Sequence, residues 1–188
     1  MADEVCLYPL YGYIKDYIEN PKYMGLCCRK FNDKNVQYIK KAHKQPIVFV
    51  SVGRSVNLKD KNTYKLSIDA LNTQDYIKAA DCIITKAGWG TVAEAICARK
   101  PMLVIERNEI PEDRATLENL IKLDVALPIK HDEVNKDNIG KLLTKLKEKT
   151  LNYNSLPSIY NNSVDDIAND ILKLCFNFKR SEKDEKGQ

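Results

Sequence analysis

Residues 81–96 read Asp-Cys-Ile-Ile-Thr-Lys-Ala-Gly-Trp-Gly-Thr-Val-Ala-Glu-Ala-Ile, and this stretch decides the fold. An apolar run of strand length leads into two glycines, and a segment with helical spacing follows them. Glycines let the backbone turn sharply and let a ligand approach, while the free N–H groups and the dipole of a helix start favour an anion. In an open α/β sheet, ligands bind at the carboxyl ends of the strands, where this turn must lie. The stretch therefore predicts a site for a phosphate or diphosphate.

The same residues also have a purely structural explanation. Thr91 and Glu94 have the spacing of a capping box, in which the two side chains would only close the helix end on each other. The residues by themselves leave both explanations open.

Strand and helix patterns alternate along the chain on both sides of this stretch. Apolar runs of strand length, several of them rich in β-branched residues, occur at 46–51, 64–68, 82–85, 102–105 and 125–129. Apolar spacings of three and four, typical of helices, occur at 117–121, 139–146 and 164–175. Continuous apolar strands are covered on both faces, so the pattern predicts an α/β fold with a parallel sheet between two layers of helices.

The two ends of the chain are less regular. The first 45 residues predict a strand at 4–8, a helix at 13–18, a short strand at 23–27 and a helix at 36–43. Five of the ten tyrosines lie within the first 23 residues, which fits either ordinary packing or a surface that contacts another domain or subunit. Residues 177–188 are charged and lack an apolar period, so we expect a disordered tail.

Composition excludes several classes of function. The six cysteines form no C-x-x-C pair and indicate reduced core residues, and the only histidines, His43 and His131, are too few and too far apart for a zinc site. The net charge of +4 comes from interleaved charges, which argues against a nucleic-acid partner. We find neither an apolar run of membrane-spanning length nor a signal peptide, and we therefore expect a cytoplasmic protein.

The motif at 86–95, followed by Lys100-Pro101, a strand, Glu106-Arg107 and Glu112-Asp113, resembles the carboxyl-terminal half of the family 28 glycosyltransferases. That family includes the UDP-N-acetylglucosamine transferase of peptidoglycan synthesis. The resemblance covers about residues 5–174, and its specific part is 46–55 and 80–129. It implies a Rossmann-like parallel sheet that forms one half of a GT-B architecture. Residues 1–30 would be an interdomain segment and linker, and 31–176 would be the donor-binding domain.

The resemblance assigns roles to the residues of the glycine motif. Glu94 takes the place of the family glutamate that binds the ribose hydroxyls, which suits a carboxylate because it can accept from two vicinal hydroxyls. Gly88, Trp89, Gly90 and Thr91 would face the donor diphosphate. The Trp89 ring would either stack on the base or sugar, or fold back onto the edge of the sheet.

Two further loops match family elements with departures. Gly53, Arg54 and Ser55 match a Gly-Gly-Ser phosphate loop in which one glycine is replaced by Arg54, a residue well suited to a diphosphate. Arg29 occupies the linker position from which a family arginine reaches the donor, although an exposed linker arginine would look the same.

The segment that follows the strand at 102–105 would contact the donor sugar. Arg107, Glu112 and Asp113 lie where family members carry a glutamine-containing pair that binds the sugar hydroxyls. Carboxylates accept from hydroxyls but cannot donate to an N-acetyl carbonyl, so both a hexose and an N-acetylhexosamine stay open. Alternatively, these acids only favour the dipole of a helix start.

The family reaction is an inverting displacement that uses a UDP-sugar and needs no metal or other cofactor. The resemblance places its base in an amino-terminal acceptor domain that this sequence lacks, so we expect a partner domain or subunit and an acceptor at a membrane, with peripheral association. This chain would hold the leaving diphosphate on a helix start beginning at Thr91. Two alternatives stay open: a nucleotide-sugar epimerase of the same fold, and a non-enzymatic module that binds a nucleotide sugar or a partner protein.

Overall fold

The computed structural model describes residues 5–185 except 11–13, 45, 53–65 and 67–69. Two short strands near the amino terminus, β1 (Cys6–Leu7) and β2 (Lys22–Tyr23), pair in parallel. Within the described residues, the other strands form one four-stranded sheet, made of β3 (Val48–Ser51), β4 (Cys82–Lys86), β5 (Met102–Ile105) and β6 (Ala126–Ile129). The α-helices of this part of the chain are α1 (Asp33–Ala42), α2 (Thr73–Ala79), α3 (Trp89–Cys97), α4 (Pro111–Lys122), α5 (Lys136–Lys149) and α6 (Val164–Glu185).

The strands of the main sheet are all parallel and lie side by side in chain order, β3-β4-β5-β6. The register pairs Val48 with Cys82, Ile83 with Met102, and Met102 with Ala126. Parallel neighbours need crossover connections, which α3 and α4 supply between β4, β5 and β6. The carboxyl ends of the strands therefore meet at one edge of the sheet, and α3 and α4 begin there. The predicted parallel α/β fold is confirmed.

Helices cover both faces of the sheet because successive strand residues point to opposite sides. On one face, Ile83 packs with Val92 of α3 and Leu120 of α4 in a buried cluster. On the other face, Ile84 packs with Leu146 of α5. This alternation explains why the strands carry apolar residues on both sides, and it confirms helices on both faces.

The amino-terminal elements are shorter than the sequence predicts. The strands expected at 4–8 and 23–27 are reduced to β1 and β2, and the helix expected at 13–18 is a single 3-10 turn, Ile14–Tyr17. Beyond β2, the Leu26 N–H donates to the Asn161 carbonyl and the Ser163 N–H donates to the Leu26 carbonyl. Gly25 allows this approach because it has no Cβ. A Cβ at this position would lie 2.0 Å from Ser163 Oγ and would clash with it. The linker is thereby attached to the segment that precedes α6.

The helix α6 extends to Glu185 and so includes the first nine residues of the segment 177–188, whose disorder stays a prediction. Lysine, arginine and glutamate are strong helix formers, so a helix can continue where the apolar period has ended. The strand predicted at 64–68 and residues 186–188 lie outside the described residues, apart from position 66. Neither α6 nor another helix in the described part is apolar enough over a sufficient length to cross a membrane.

Candidate functional site

The helix start predicted from the glycine motif lies at the carboxyl end of β4. Gly88 is the N-cap of α3, with φ −68° and ψ 124°, and its N–H donates to the Lys86 carbonyl at 2.7 Å. The Val92 N–H donates to the Gly88 carbonyl, so the N–H groups of 89–91 precede the first intrahelical bond. The helix begins at Trp89, two residues before the predicted start at Thr91. The free N–H groups of the first helical turn therefore belong to the glycine motif itself, at residues 89–91.

The capping-box explanation of Thr91 and Glu94 is wrong. A capping box needs the Ser or Thr at the N-cap, whereas the N-cap is Gly88 and Thr91 is already the third helical residue. No side chain in the described residues caps this helix end. The Glu94 carboxylate is therefore available for another role.

Glu94 forms a two-point ion pair with Arg29 of the linker. Arg29 Nε donates to Glu94 Oε1 at 2.6 Å, and Arg29 Nη2 donates to Glu94 Oε2 at 3.2 Å. The Glu94 side chain is only 9% exposed, whereas that of Arg29 is 50% exposed. Hydrogen bonding to Glu94 raises the pKa of Arg29, which keeps the guanidinium charged. The structure thus joins the predicted ribose residue to the predicted linker arginine.

The same guanidinium reaches the start of α2. Arg29 Nη1 donates to the Leu71 carbonyl at 3.0 Å, and Nη2 donates to Thr73 Oγ1 at 2.7 Å. The linker is held in place by Asn162, whose side chain accepts from the Cys28 N–H and donates to the Cys28 carbonyl, both at 3.1 Å. Arg29 is therefore a fixed bridge between the linker, α2 and α3.

The two glycines of the motif border open space. A Cβ added to Gly88 or to Gly90 would meet no atom of the described residues within 4 Å. The backbone at Gly88 has a negative φ that any residue adopts. Neither strain nor packing within the described residues requires glycine at position 88, and the open space there would admit a ligand.

The Trp89 ring lies against the protein. Its centroid is 5.4 Å from that of Tyr8, with the two ring planes tilted by 52°, and the side chain also packs on the buried cluster beneath α3. The stacking of this ring on a base or sugar stays a prediction. The backbone N–H of Trp89 still belongs to the free first turn of the helix.

The third predicted element lies at the start of α4, which follows β5 at the same edge of the sheet. Arg107 Nη1 is 3.0 Å from Asp113 Oδ2, and this oxygen forms no well-aligned hydrogen bond within the described residues. Glu112 is exposed and, like Asp113, lies in the first turn of α4, where an acid also favours the helix dipole. Both carboxyl groups retain acceptor capacity for hydroxyl groups.

The predicted phosphate loop Gly53, Arg54 and Ser55 lies outside the described residues, and its role stays a prediction. The strand that precedes it ends beside β4, since Thr85 Oγ1 donates to the Ser51 carbonyl at 3.2 Å. The strand β3 therefore ends at the edge of the sheet where α3 begins.

Several residues of the site could not be predicted from the sequence. Thr73 and the Leu71 carbonyl bind Arg29 across 42 to 44 positions, and Asn162 fixes the linker across 134 positions. The only local signal is the Asn72-Thr73 pair, which is typical of a helix start. In the part of the chain that the structure describes, no group of three or more metal-ligating side chains comes together.

Comparison with known proteins matches residues 29–171 to the family described as the glycosyltransferase family 28 C-terminal domain. A UDP-N-acetylglucosamine–N-acetylmuramyl-(pentapeptide) pyrophosphoryl-undecaprenol N-acetylglucosamine transferase from Phocaeicola vulgatus is 27% identical over 108 residues. The aligned region is 54% of this chain and 29% of that protein. The chain thus spans less than a third of this relative.

Two solved glycosyltransferases share the fold. The glycotransferase of kitacinnamycin has a TM-score of 0.53 at 14% identity, covering 84% of this chain and 50% of the other. The glycosyltransferase SnogD from Streptomyces nogalater has a TM-score of 0.53 at 13% identity, covering 88% of this chain and 54% of the other. At such identities the likeness concerns the fold alone, and it confirms a Rossmann-like domain equivalent to about half of a GT-B protein.

Proposed function

This chain belongs to glycosyltransferase family 28, whose C-terminal domain it matches, and on that premise we propose that it binds the UDP-sugar donor of an inverting, metal-independent glycosyltransferase. The reaction would transfer a hexose or an N-acetylhexosamine to an acceptor hydroxyl. The observation that carries the proposal is the Arg29–Glu94 ion pair beside the free first turn of α3. It brings an acceptor for a diol and donors for an anion to one edge of the sheet.

The diphosphate would bind at the first turn of α3. The free N–H groups of 89–91 and the helix dipole attract an anion, and the open space at Gly88 and Gly90 admits it. Arg29 is attached to α3 through its ion pair with Glu94, and we propose that Arg54 of the predicted phosphate loop adds a second cation. These groups stabilise the negative charge that develops on the leaving nucleoside diphosphate, so the reaction needs no metal ion.

The ribose would bind at Glu94. A carboxylate offers about four acceptor positions, and Arg29 uses two of them, so two remain for the vicinal hydroxyls. The ion pair fixes the carboxylate before the ligand arrives. A pre-positioned acceptor costs less conformational entropy on binding than a free side chain.

The donor sugar would lie against α4, with its hydroxyls donating to Glu112 and Asp113 and with Arg107 holding Asp113 in place. In the chemical step, the acceptor oxygen forms a bond to the anomeric carbon while the bond from that carbon to the diphosphate breaks. A base takes the acceptor proton, and we place it in the amino-terminal acceptor domain.

That acceptor domain would be a separate polypeptide or another part of the same protein. The described chain exposes large apolar side chains that suit such a contact: Tyr17 at the amino terminus and Ile171, Leu172 and Leu174 on α6. We propose that these side chains contact the acceptor domain, in the cytoplasm, with a membrane-associated acceptor.

A thermal-shift panel tests the proposal. UDP and its sugars should raise the melting temperature. UMP should raise it less because it lacks the second phosphate. GDP should also raise it less if the site recognises the uracil base. A chain that responds to none of UDP, GDP and their sugars would contradict donor binding.

A further inference from the structure

A basic cavity of about 360 Å³ lies at the carboxyl-terminal end of α3. Its walls come from the linker, α2, the last turn of α3 and residues 153–162. Four cationic side chains line it: Arg29, Lys30, Lys78 and Arg99. The cavity has a size that suits a small molecule, since ligand sites are typically about 300–1,000 Å³.

Two of these cations are neutralised by carboxylates and two are not. Arg29 pairs with Glu94, and Lys78 pairs with Asp33 at 2.8 Å. Within the described residues, neither Lys30 nor Arg99 has a carboxylate within ion-pair distance. The cavity therefore has an excess of positive charge.

Arg99 adopts a backbone conformation that an arginine rarely takes. Its φ is 55°, at the position after a helix where glycine is preferred because other side chains are strained there. Its Nη1 donates to the neutral amide oxygen of Asn154 at 3.1 Å, which fixes the guanidinium without cancelling its charge. Asp124 has the same φ after α4, but aspartate tolerates this region better. The strain at Arg99 is thus accompanied by an uncompensated cation that faces the cavity.

Like charges also act on Lys100, which follows the wall residue Arg99 in the chain. Burial lowers the pKa of Lys100, and the ammonium groups of Lys40 and Lys78 lower it further against the opposing effect of Asp81. An anion in the cavity beside Lys78 would weaken the repulsion that this ammonium exerts on Lys100.

The negative end of the α3 dipole points toward the cavity and opposes an anion. Backbone hydrogen bonds reduce this effect, because the N–H groups of Ala98, Arg99 and Lys100 donate to the carbonyls of Glu94, Ile96 and Ala95. The charge of a helix end is about half a unit, whereas Lys30 and Arg99 each contribute a full one. The cations outweigh the dipole.

We infer that this cavity binds a phosphate monoester, with the phosphate between Lys30 and Arg99 and the organic group against the rings of Phe31 and Tyr160. The phosphate position differs from that of the donor diphosphate, because Gly88 and Arg99 lie at opposite ends of α3, roughly 16 Å apart at 1.5 Å per residue, although Arg29 borders both sites. Its concave shape favours a small molecule over a membrane surface. The inference does not depend on the proposed function.

Titration of the whole ¹⁵N-labelled chain with inorganic phosphate and with phenyl phosphate tests the inference. Phosphate should shift the amide signals of Cys97, Arg99 and Asn161, and phenyl phosphate should bind more tightly because its ring contacts the aromatic wall. The double variant Lys30→Gln, Arg99→Gln should bind about five- to tenfold more weakly.

Two variants complete the test. The control Lys141→Gln, Lys145→Gln removes the same net charge from exposed positions of α5 and should bind as the wild type does. Gly88→Leu fills the open space at the donor site and should leave the cavity signals responsive. Shifts confined to 88–91, or equal weakening in both double variants, would overturn the inference. Shifts at the cavity without a response at 88–91 would support it even if donor binding failed.

Discussion

Arg29 and Glu94 are 65 positions apart in the sequence and form a two-point ion pair whose carboxylate is almost fully buried. The pair connects the linker to the helix that carries the glycine motif. Burial of one partner and exposure of the other make the two residues unequal, because loss of the arginine would leave a buried charge and loss of the glutamate would not. The pair therefore predicts different results for its two halves.

Glu94→Ala should abolish most of the response to UDP while the chain stays folded. The arginine left behind is half exposed and can be solvated, whereas the ribose loses hydrogen bonds to a charged acceptor worth about 1.5–3 kcal/mol each. We expect UDP affinity to fall at least tenfold by calorimetry. Glu118→Ala, an exposed acid on α4, is the control and should bind as the wild type does. Unchanged UDP binding in Glu94→Ala would refute the ribose assignment.

Arg29→Ala should destabilise the fold more than Glu94→Ala does. It leaves the buried Glu94 carboxylate without its partner, at a cost of about 1–2 kcal/mol after allowance for the exposure of the arginine. Urea unfolding should show the loss, and adding Glu94→Gln to Arg29→Ala should recover part of it by removing the buried charge. No recovery in the double variant would show that the arginine acts through its other contacts, with Leu71 and Thr73.

Local patterns in the sequence predict the sheet well, since the apolar run at 102–105 coincides with β5. The start of α3 is missed by two residues because a glycine N-cap carries no side-chain signal, while Thr91 and Glu94 imitate a capping box. The Arg29–Glu94 pair cannot be read from spacing, because it depends on how the linker packs through Gly25 and Asn162. Short-range sequence patterns predict helices and strands, whereas contacts between residues that are distant in the sequence depend on tertiary packing.

Gly90→Ala should stabilise the fold and weaken UDP binding together. Position 90 is helical and a Cβ meets open space there, so alanine should add up to about 0.5–1 kcal/mol by restricting the unfolded chain. The added methyl would occupy the space proposed for the diphosphate. Gly140→Ala in α5 is the matched control, because its Cβ also meets no atom of the described residues and the position is far along the chain from α3. Thermal unfolding and UDP calorimetry should show stabilisation in both variants and weaker binding only in Gly90→Ala.

The free energy of unfolding should fall above pH 9 because of Cys82. Burial raises the pKa of this thiol from 9.0 to about 12, so the folded state keeps its proton while the unfolded state releases it. The contribution is complete below pH 9 and is lost as the pH rises toward 12, amounting to roughly 2–3 kcal/mol between pH 9 and 11. Cys82→Ala should reduce the fall in stability over that interval, whereas Cys175→Ala, at an exposed position, should not. Identical slopes in the wild type and Cys82→Ala would refute the assignment.

The acids at the start of α4 predict a preference among donor sugars. Glu112 is exposed and has no hydrogen donor, so it accepts from sugar hydroxyls but offers nothing to an N-acetyl carbonyl. UDP-hexoses should therefore raise the melting temperature at least as much as UDP-N-acetylhexosamines do. Glu112→Gln supplies an amide donor at the same position and should shift the preference toward the N-acetyl sugars by about threefold to tenfold in affinity, the effect of one added hydrogen bond. Glu109→Gln makes the same change at an exposed position before α4 and should leave the preference unchanged. If Glu112→Gln and Glu109→Gln behave alike, the acids at this helix start serve its dipole and do not contact the donor sugar.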